Sequence, residues 1–238
     1  MIREIRAESN LSSLSVLRAV ITRWTAHYLA FRRLLELENS LRAVISRDDM
    51  QPNPAKKAVI TGDAKAKRRA RKMVKIIQDP LFWHGIVRIK RHLEPLAIAA
   101  NVTQAAFCRM DQVLLTFGHL VMTYKKLTDR SDFLPCNTII RSIEKRWAKT
   151  DQEVFIAAVI LNPVFRTKPF TDLPFLTLGG IHVMLQRLWT RFYPNCPIPD
   201  ELSDQVSDYF DGSGIFVNME ALIEIESRKA HAQVGLSA

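Results

Sequence analysis

Between residues 13 and about 47 the apolar side chains recur at the spacing of one helix face. Leu17, Ile21, Trp24, Tyr28, Phe31 and Leu35 follow one another at steps of four, three, four, three and four, so a 3.6-residue period puts them on a single buried stripe. Arg18, Arg32, Arg33, Arg42 and Arg47 fall mostly off it. The pattern stops at "RDDMQPNPAKK", where two prolines and Asn53 predict a loop. Asp63 predicts an N-cap for a helix running through Gln78, because a short carboxylate accepts from the free N–H groups of a first turn. Asp79-Pro80 restarts the chain, with Asp as N-cap and proline at the first helical position. This helix is expected to kink or end at Pro95.

Thr103 is read as the cap of a long helix over "QAAFCRMDQVLLTFGHLVMTYKKL", with Phe107, Met110, Val113, Leu114, Phe117, Val121 and Tyr124 on its apolar side. After the loop "TDRSDFLPCN" two helices follow, the second stopped at Asn162-Pro163. Proline-rich loops at 163–174 and 194–199 bracket a helix over "LGGIHVMLQRLWTRFY". Two last helices, near 199–210 and 218–232, are divided by the turn "DGSG". Neither period-two alternation nor a fixed-period repeat occurs, which predicts a mainly α class, an irregular bundle of about eight to ten helices. The expected organisation is an N-terminal helix at 1–50, a linker at 51–64, a helical domain at 65–195 and an acidic helical segment at 196–238.

The 238 residues are 47% hydrophobic and 24% charged, a balance ordinary for a chain that buries a core. Apolar runs such as "VFIAAVIL" at 154–161 are too short to span a bilayer, so no membrane partner is expected. The N-terminus carries acids among its bases and no apolar core segment, unlike a secretory signal. Cys108, Cys136 and Cys196 are far apart and odd in number, which predicts reduced thiols rather than a disulfide framework or a zinc site. The net charge of +10 is uneven. Residues 1–199 hold 32 Lys and Arg against 16 acids, and residues 200–238 hold 2 against 8. A basic body with an acidic tail implies either a polyanion partner or shielding of one part by the other.

Fingerprints of catalysis and of cofactor binding are missing from the sequence, so no cofactor and no metal are expected. His27, His84, His92, His119, His182 and His231 are scattered, none four residues from another. Asp200, Asp204, Asp208 and Asp211 share a helix face and are read as a solvated acidic surface, since helical carboxylate sites draw ligands from several facing helices. Residues 56–75 carry nine Lys or Arg and one acid. Lys56-Lys57, a ten-residue gap and Arg68-Arg69-Ala70-Arg71-Lys72 match a bipartite nuclear import signal, which presents two cation groups along an extended segment. Lys65, Lys67, Arg68, Arg69, Arg71 and Lys72 equally suit sequence-independent contact with phosphates, or a solvated helix face. Nuclear accumulation is the expectation, with the cytoplasm as the alternative.

Three stretches taken together, "LRAVITRWTAHYLAFRRLLEL", "DPLFWHGIVRIKRHLEPLAIAANVTQAAFCRMDQVL" and "IEKRWAKTDQEVFIAAVILNP", resemble the central region of hAT-superfamily transposases, above all those abundant in fungal genomes. The matching features are Thr22-Arg23-Trp24-Thr25, Phe82-Trp83 followed by Leu93-Glu94-Pro95-Leu96, Gln104, and the terminal "AAVILNP", where relatives more often have Leu-Asp-Pro. They run from about 14 to 170 in order. The resemblance implies the helical insertion of an RNase H-like catalytic domain. In that family two catalytic aspartates precede the Arg-Trp motif and a glutamate follows in a Ser-Glu-Arg-x-Phe-Ser-like segment. Here 23 residues precede Trp24 and no such segment follows. Two-metal phosphoryl chemistry needs those acids, so the expectation is a non-catalytic chain that binds DNA without sequence preference. Association with full-length relatives or with a second copy is a further expectation. The family places the Arg-Trp aromatic at the DNA end, making Arg23 and Trp24 candidate DNA contacts, whereas the register of Trp24 with Tyr28 and Phe31 reads as core. Phe82 and Trp83 are read as core. The other function class is an α-helical protein-interaction module with no role for nucleic acid.

Overall fold

The computed structural model describes residues 1–20, 24–170, 173–174, 176–221, 223–225 and 228, with Trp24 described in its backbone alone. Among them every regular element is a helix and there is no strand, as the absence of period-two alternation predicts. It divides into two compact units, Met1–Ala100 and Asn101–Ala238.

The first unit contains α1 (Ile2–Glu8), α2 (Trp24–Glu36), α3 (Glu38–Asp49), a 3-10 turn at Pro54–Lys56, α4 (Ala64–Gln78) and most of α5 (Pro80–Thr103). The single helix expected over 13–47 is not formed. Residues 11–20 have no regular structure, Leu17 is 42% exposed, and the chain breaks at Leu37. The break has a tertiary cause. Arg6, itself buried, donates from Nη1 to the Glu36 carbonyl at 3.2 Å and from Nε to the Ser12 carbonyl at 2.7 Å. In an uninterrupted helix the Glu36 carbonyl would serve residue 40. Here it faces a guanidinium, and Leu37 turns fully into the core. Helix α1, not anticipated from the sequence, packs on α3 and supplies that arginine.

The capping signals at Asp63 and Asp79 hold. The Asp63 side chain accepts from Ala66 N at 2.6 Å and opens α4. Asp79 accepts from Leu81 N at 2.9 Å and opens α5 at Pro80. Pro95 does not end α5, which runs on to Thr103. The Tyr28 hydroxyl donates to Glu94 at 2.8 Å, tying α2 to α5 just before Pro95, and Lys90 reaches the same carboxylate at 3.0 Å. Trp83 is 3% exposed and donates to the Ile77 carbonyl at 2.7 Å, with the Arg42 guanidinium 5.8 Å from its ring. Phe82 meets it edge-on.

The second unit holds α6 (Met110–Lys125), α7 (Phe133–Trp147), α8 (Gln152–Ile160), α9 (Leu178–Phe192), α10 (Leu202–Asp211) and a 3-10 turn at Gly214–Phe216. Thr103 does not cap α6. It is the last residue of α5, residues 104–107 form turns, and Phe107 is 92% exposed instead of lying on an apolar face. The start of α6 is set by Asp111, a buried carboxylate held by both Arg109 Nε and Nη2 at 3.0 Å and by Asn162 Nδ2 at 2.6 Å. Helix α7 begins inside the predicted loop, with Pro135 in its first turn, where a missing N–H is tolerated. Helices α6, α7 and α8 share an aromatic seam, Phe117–Trp147–Phe155, with ring centroids 6.3 and 6.0 Å apart. Ala157, Ile160, Ile181, Met184, Leu188 and Val206 form the core of α8, α9 and α10. Gly212, at φ +68°, ends α10 within the predicted turn.

Candidate nucleic-acid interface

Helix α4 rests on α3, and its partly buried residues are Ala70, Val74, Ile76 and Ile77. The approach is fixed by Asp48, buried near the end of α3, whose Oδ1 accepts from Ala58 N at 2.7 Å and Val59 N at 3.3 Å. The opposite side of α4 is cationic. At 3.6 residues per turn, Arg68, Arg71, Lys72 and Lys75 fall along the middle of that side, with Lys65, Lys67 and Arg69 on its flanks. All seven are exposed, on a 15-residue helix about 22 Å long. No acid lies between Asp63 and Asp79.

Several arginines elsewhere in the chain are matched to carboxylates. Arg33 pairs with Glu36, Arg42 with Glu38, Arg187 with Glu153 and Arg191 with Asp151. The seven cations of α4 form no ion pair with an acid among the described residues. Lys65 and Lys67 stand in or beside the first turn, which carries no acid. Cations at a helix N-terminus oppose the helix dipole. The local arrangement is therefore electrostatically unfavourable by itself and favourable beside an anion.

The predicted residues separate into three groups. Lys65, Lys67, Arg68, Arg69, Arg71 and Lys72 come together on this one face. Lys75 belongs with them and was missed as a site residue, although it lies four residues after Arg71 and seven after Arg68. Lys56 is exposed in the 3-10 turn, while Lys57 is partly buried and reaches the Asp49 carbonyl at 3.4 Å. The second cluster of the import motif is helical, not extended, because Asp63 caps an alanine-containing segment that favours helix. Arg23 and the Trp24 side chain lie outside the described residues.

Other candidate chemistry is dispersed. Asp200 precedes α10, and Asp208 accepts from the Ser213 hydroxyl at 2.6 Å, which ties that one carboxylate of the four to the turn after α10. Among the described residues no group of three or more His, Cys, Asp or Glu could hold a metal ion, and no disulfide joins Cys108, Cys136 or Cys196. A cavity of about 530 Å³ opens between α8, α9 and α10, lined by Leu188, Trp189, Val206 and Phe210 among other apolar groups, without a carboxylate, imidazole or thiol. Among the described residues no helix is long and apolar enough to cross a membrane. Compared with protein-family models, curated proteins and solved structures, the chain finds no match.

Proposed function

We propose that this chain is a non-catalytic helical protein that contacts nucleic-acid phosphates through the outer face of α4, without sequence preference. The observation that carries the reading is the set of seven exposed cations on α4 without acidic partners among the described residues. Lys and Arg ordered along a helix release condensed counterions from DNA on binding, and that release is the driving force of sequence-independent association. The resemblance to the hAT insertion region agrees with a DNA-associated role, and with the lack of catalysis, since the acids that hold the two metals in that family have no counterpart in this sequence.

Binding to duplex and single-stranded DNA, titrated against salt, tests the proposal. Dissociation constants on the order of 10⁻⁴–10⁻⁶ M at physiological salt are expected, with log affinity falling linearly with log salt. The Arg68→Ala, Arg69→Ala double variant weakens binding to all sequences alike and flattens the slope by about one unit for each phosphate-binding cation removed. Binding that ignores salt, or none at low salt, overturns this reading.

A second reading is a protein-interaction module, engaging a second copy or a full-length relative. It is favoured by large apolar side chains left on the surface, Phe107 and Ile215 foremost. Self-association that persists at high salt, together with absent DNA binding, selects it.

A further inference from the structure

The cavity of about 530 Å³ between α8, α9 and α10 reaches from the core of the second unit to its surface. Ala157, Leu188 and Val206, all buried, line its inner part. Leu161, Phe192 and Tyr193, which are 49%, 60% and 52% exposed, line it toward solvent. Two of its aromatic walls are held in place. The Tyr209 hydroxyl donates to the Ile160 carbonyl at 3.0 Å, and Phe210 and Phe216 meet its ring edge-on. The Trp189 indole N–H donates to the Pro197 carbonyl at 3.0 Å, and its ring centroid lies 4.6 Å from that of Tyr193. With both polar handles tied to the backbone, these rings offer the cavity apolar surface.

Volume and chemistry together narrow the occupant. Small-molecule sites typically measure about 300–1,000 Å³, and an apolar cavity of about 150 Å³ already takes up benzene. Two turns of a partner helix, about 10 Å wide, fill on the order of 800 Å³, more than this space holds. Among the described residues the lining contains no carboxylate to hold a cation and no Lys, Arg or His to hold an anion. Bringing an ion into such surroundings without a partner is costly. The other polar side chains of the lining are Gln205 and Tyr193, and neither makes a side-chain hydrogen bond among the described residues.

We infer that this cavity binds an uncharged, ring-bearing apolar small molecule. Its rings lie against Trp189, Tyr209 and Phe210, and a hydrogen-bonding group meets Gln205 or Tyr193. The site is made by helices other than α4 and does not rest on the nucleic-acid reading.

The test is fluorescence titration of the full chain with two probes of one ring system, uncharged N-phenyl-naphthylamine and anionic anilinonaphthalene sulfonate. The net charge of +10 draws the sulfonate to any unspecific apolar spot, so a preference for the uncharged probe reports the cavity. One saturable site is expected, favouring the uncharged probe by roughly tenfold or more because the sulfonate enters unpaired. The thermal midpoint should rise as that probe binds the folded state. Ala158, which lines the cavity and is partly buried, gives a filling variant. Ala158→Phe should weaken binding roughly tenfold or more by occupying the space with a ring. Leu161→Lys, at the exposed edge, should cancel the preference by giving the sulfonate a cation. Trp189→Phe should keep binding but lower energy transfer from tryptophan to the probe, and Arg68→Ala with Arg69→Ala should change neither. No saturable signal, no preference for the uncharged probe, a falling thermal midpoint, or undiminished binding by Ala158→Phe overturns the proposal. So does binding that strengthens as the protein is diluted, which assigns the cavity to a second copy. Should Ala158→Phe fail to fold, an unchanged preference in Leu161→Lys overturns it instead.

Discussion

Asn162 shows how much one side chain settles. Its Nδ2 donates to Asp111 at 2.6 Å and its Oδ1 accepts from Val164 N at 3.0 Å, so it clamps the end of α8 to the start of α6 and shapes the turn through Pro163. Burial pushes the Asp111 carboxyl up, but the bonds from Arg109 and Asn162 outweigh it and hold the group below its usual range. The folded value being the lower one, this contribution to stability is complete above the unfolded value of about 3.9 and fades as pH falls through the folded value. Asn162→Asp replaces the donor with a second carboxylate facing the first. We expect it to cost about 3 kcal/mol at pH 7, the scale of a broken buried pair. The loss should shrink on acidification as the two acids come to share a proton. Urea midpoints at pH 7 and pH 5 check both signs, and a loss that does not depend on pH contradicts the shared-proton account. From the sequence, Asn162-Pro163 was readable as a helix stop. Its partner Asp111 is 51 residues away, and no local pattern names it.

At the scale of elements, the starts of α4 and α5 were legible because a cap is a bond between a side chain and an N–H two or three residues on. The run over 13–47 misled for the opposite reason. Periodicity reports which residues would share a face if a helix formed, and the Arg6 bond to Glu36 decides that a continuous one does not. Helix α4 also predicts a trade between stability and binding. Lys65 sits in the first turn, against the dipole. Lys65→Glu should stabilise the fold by about 0.3–1 kcal/mol while weakening DNA binding. Thermal melts and the salt titration, run on the same preparation, should move in opposite directions; a destabilised Lys65→Glu means that the lysine has a structural partner.

For the whole molecule, charge and size bear on where the chain resides. At 27.2 kDa it could pass nuclear pores by diffusion, so only a bulky fluorescent fusion tests active import. Nuclear accumulation of that fusion is expected, with loss when Arg68, Arg69, Arg71 and Lys72 become alanine. The helical state of that segment adds a further expectation, since an extended binding groove requires α4 to unwind locally. Asp63→Ala removes the cap, worth about 1 kcal/mol, and should leave import intact or raise it while lowering the thermal midpoint. A fusion that stays cytoplasmic, or enters equally well without the cations, removes the import signal from the account.

Local patterns along the chain are enough for the mainly α class, most of the helices from α4 onward and the cations of α4, because these depend on composition, on caps and on spacing within a few residues. The tertiary structure decided the break at Leu37, the start of α6 at Met110 and the exposure of Phe107. It also decided the placement of the Arg166 guanidinium 5.3 Å from the ring of the buried Tyr209. Each of those turns on groups far apart in the chain, whose meeting is a property of packing and leaves no local trace.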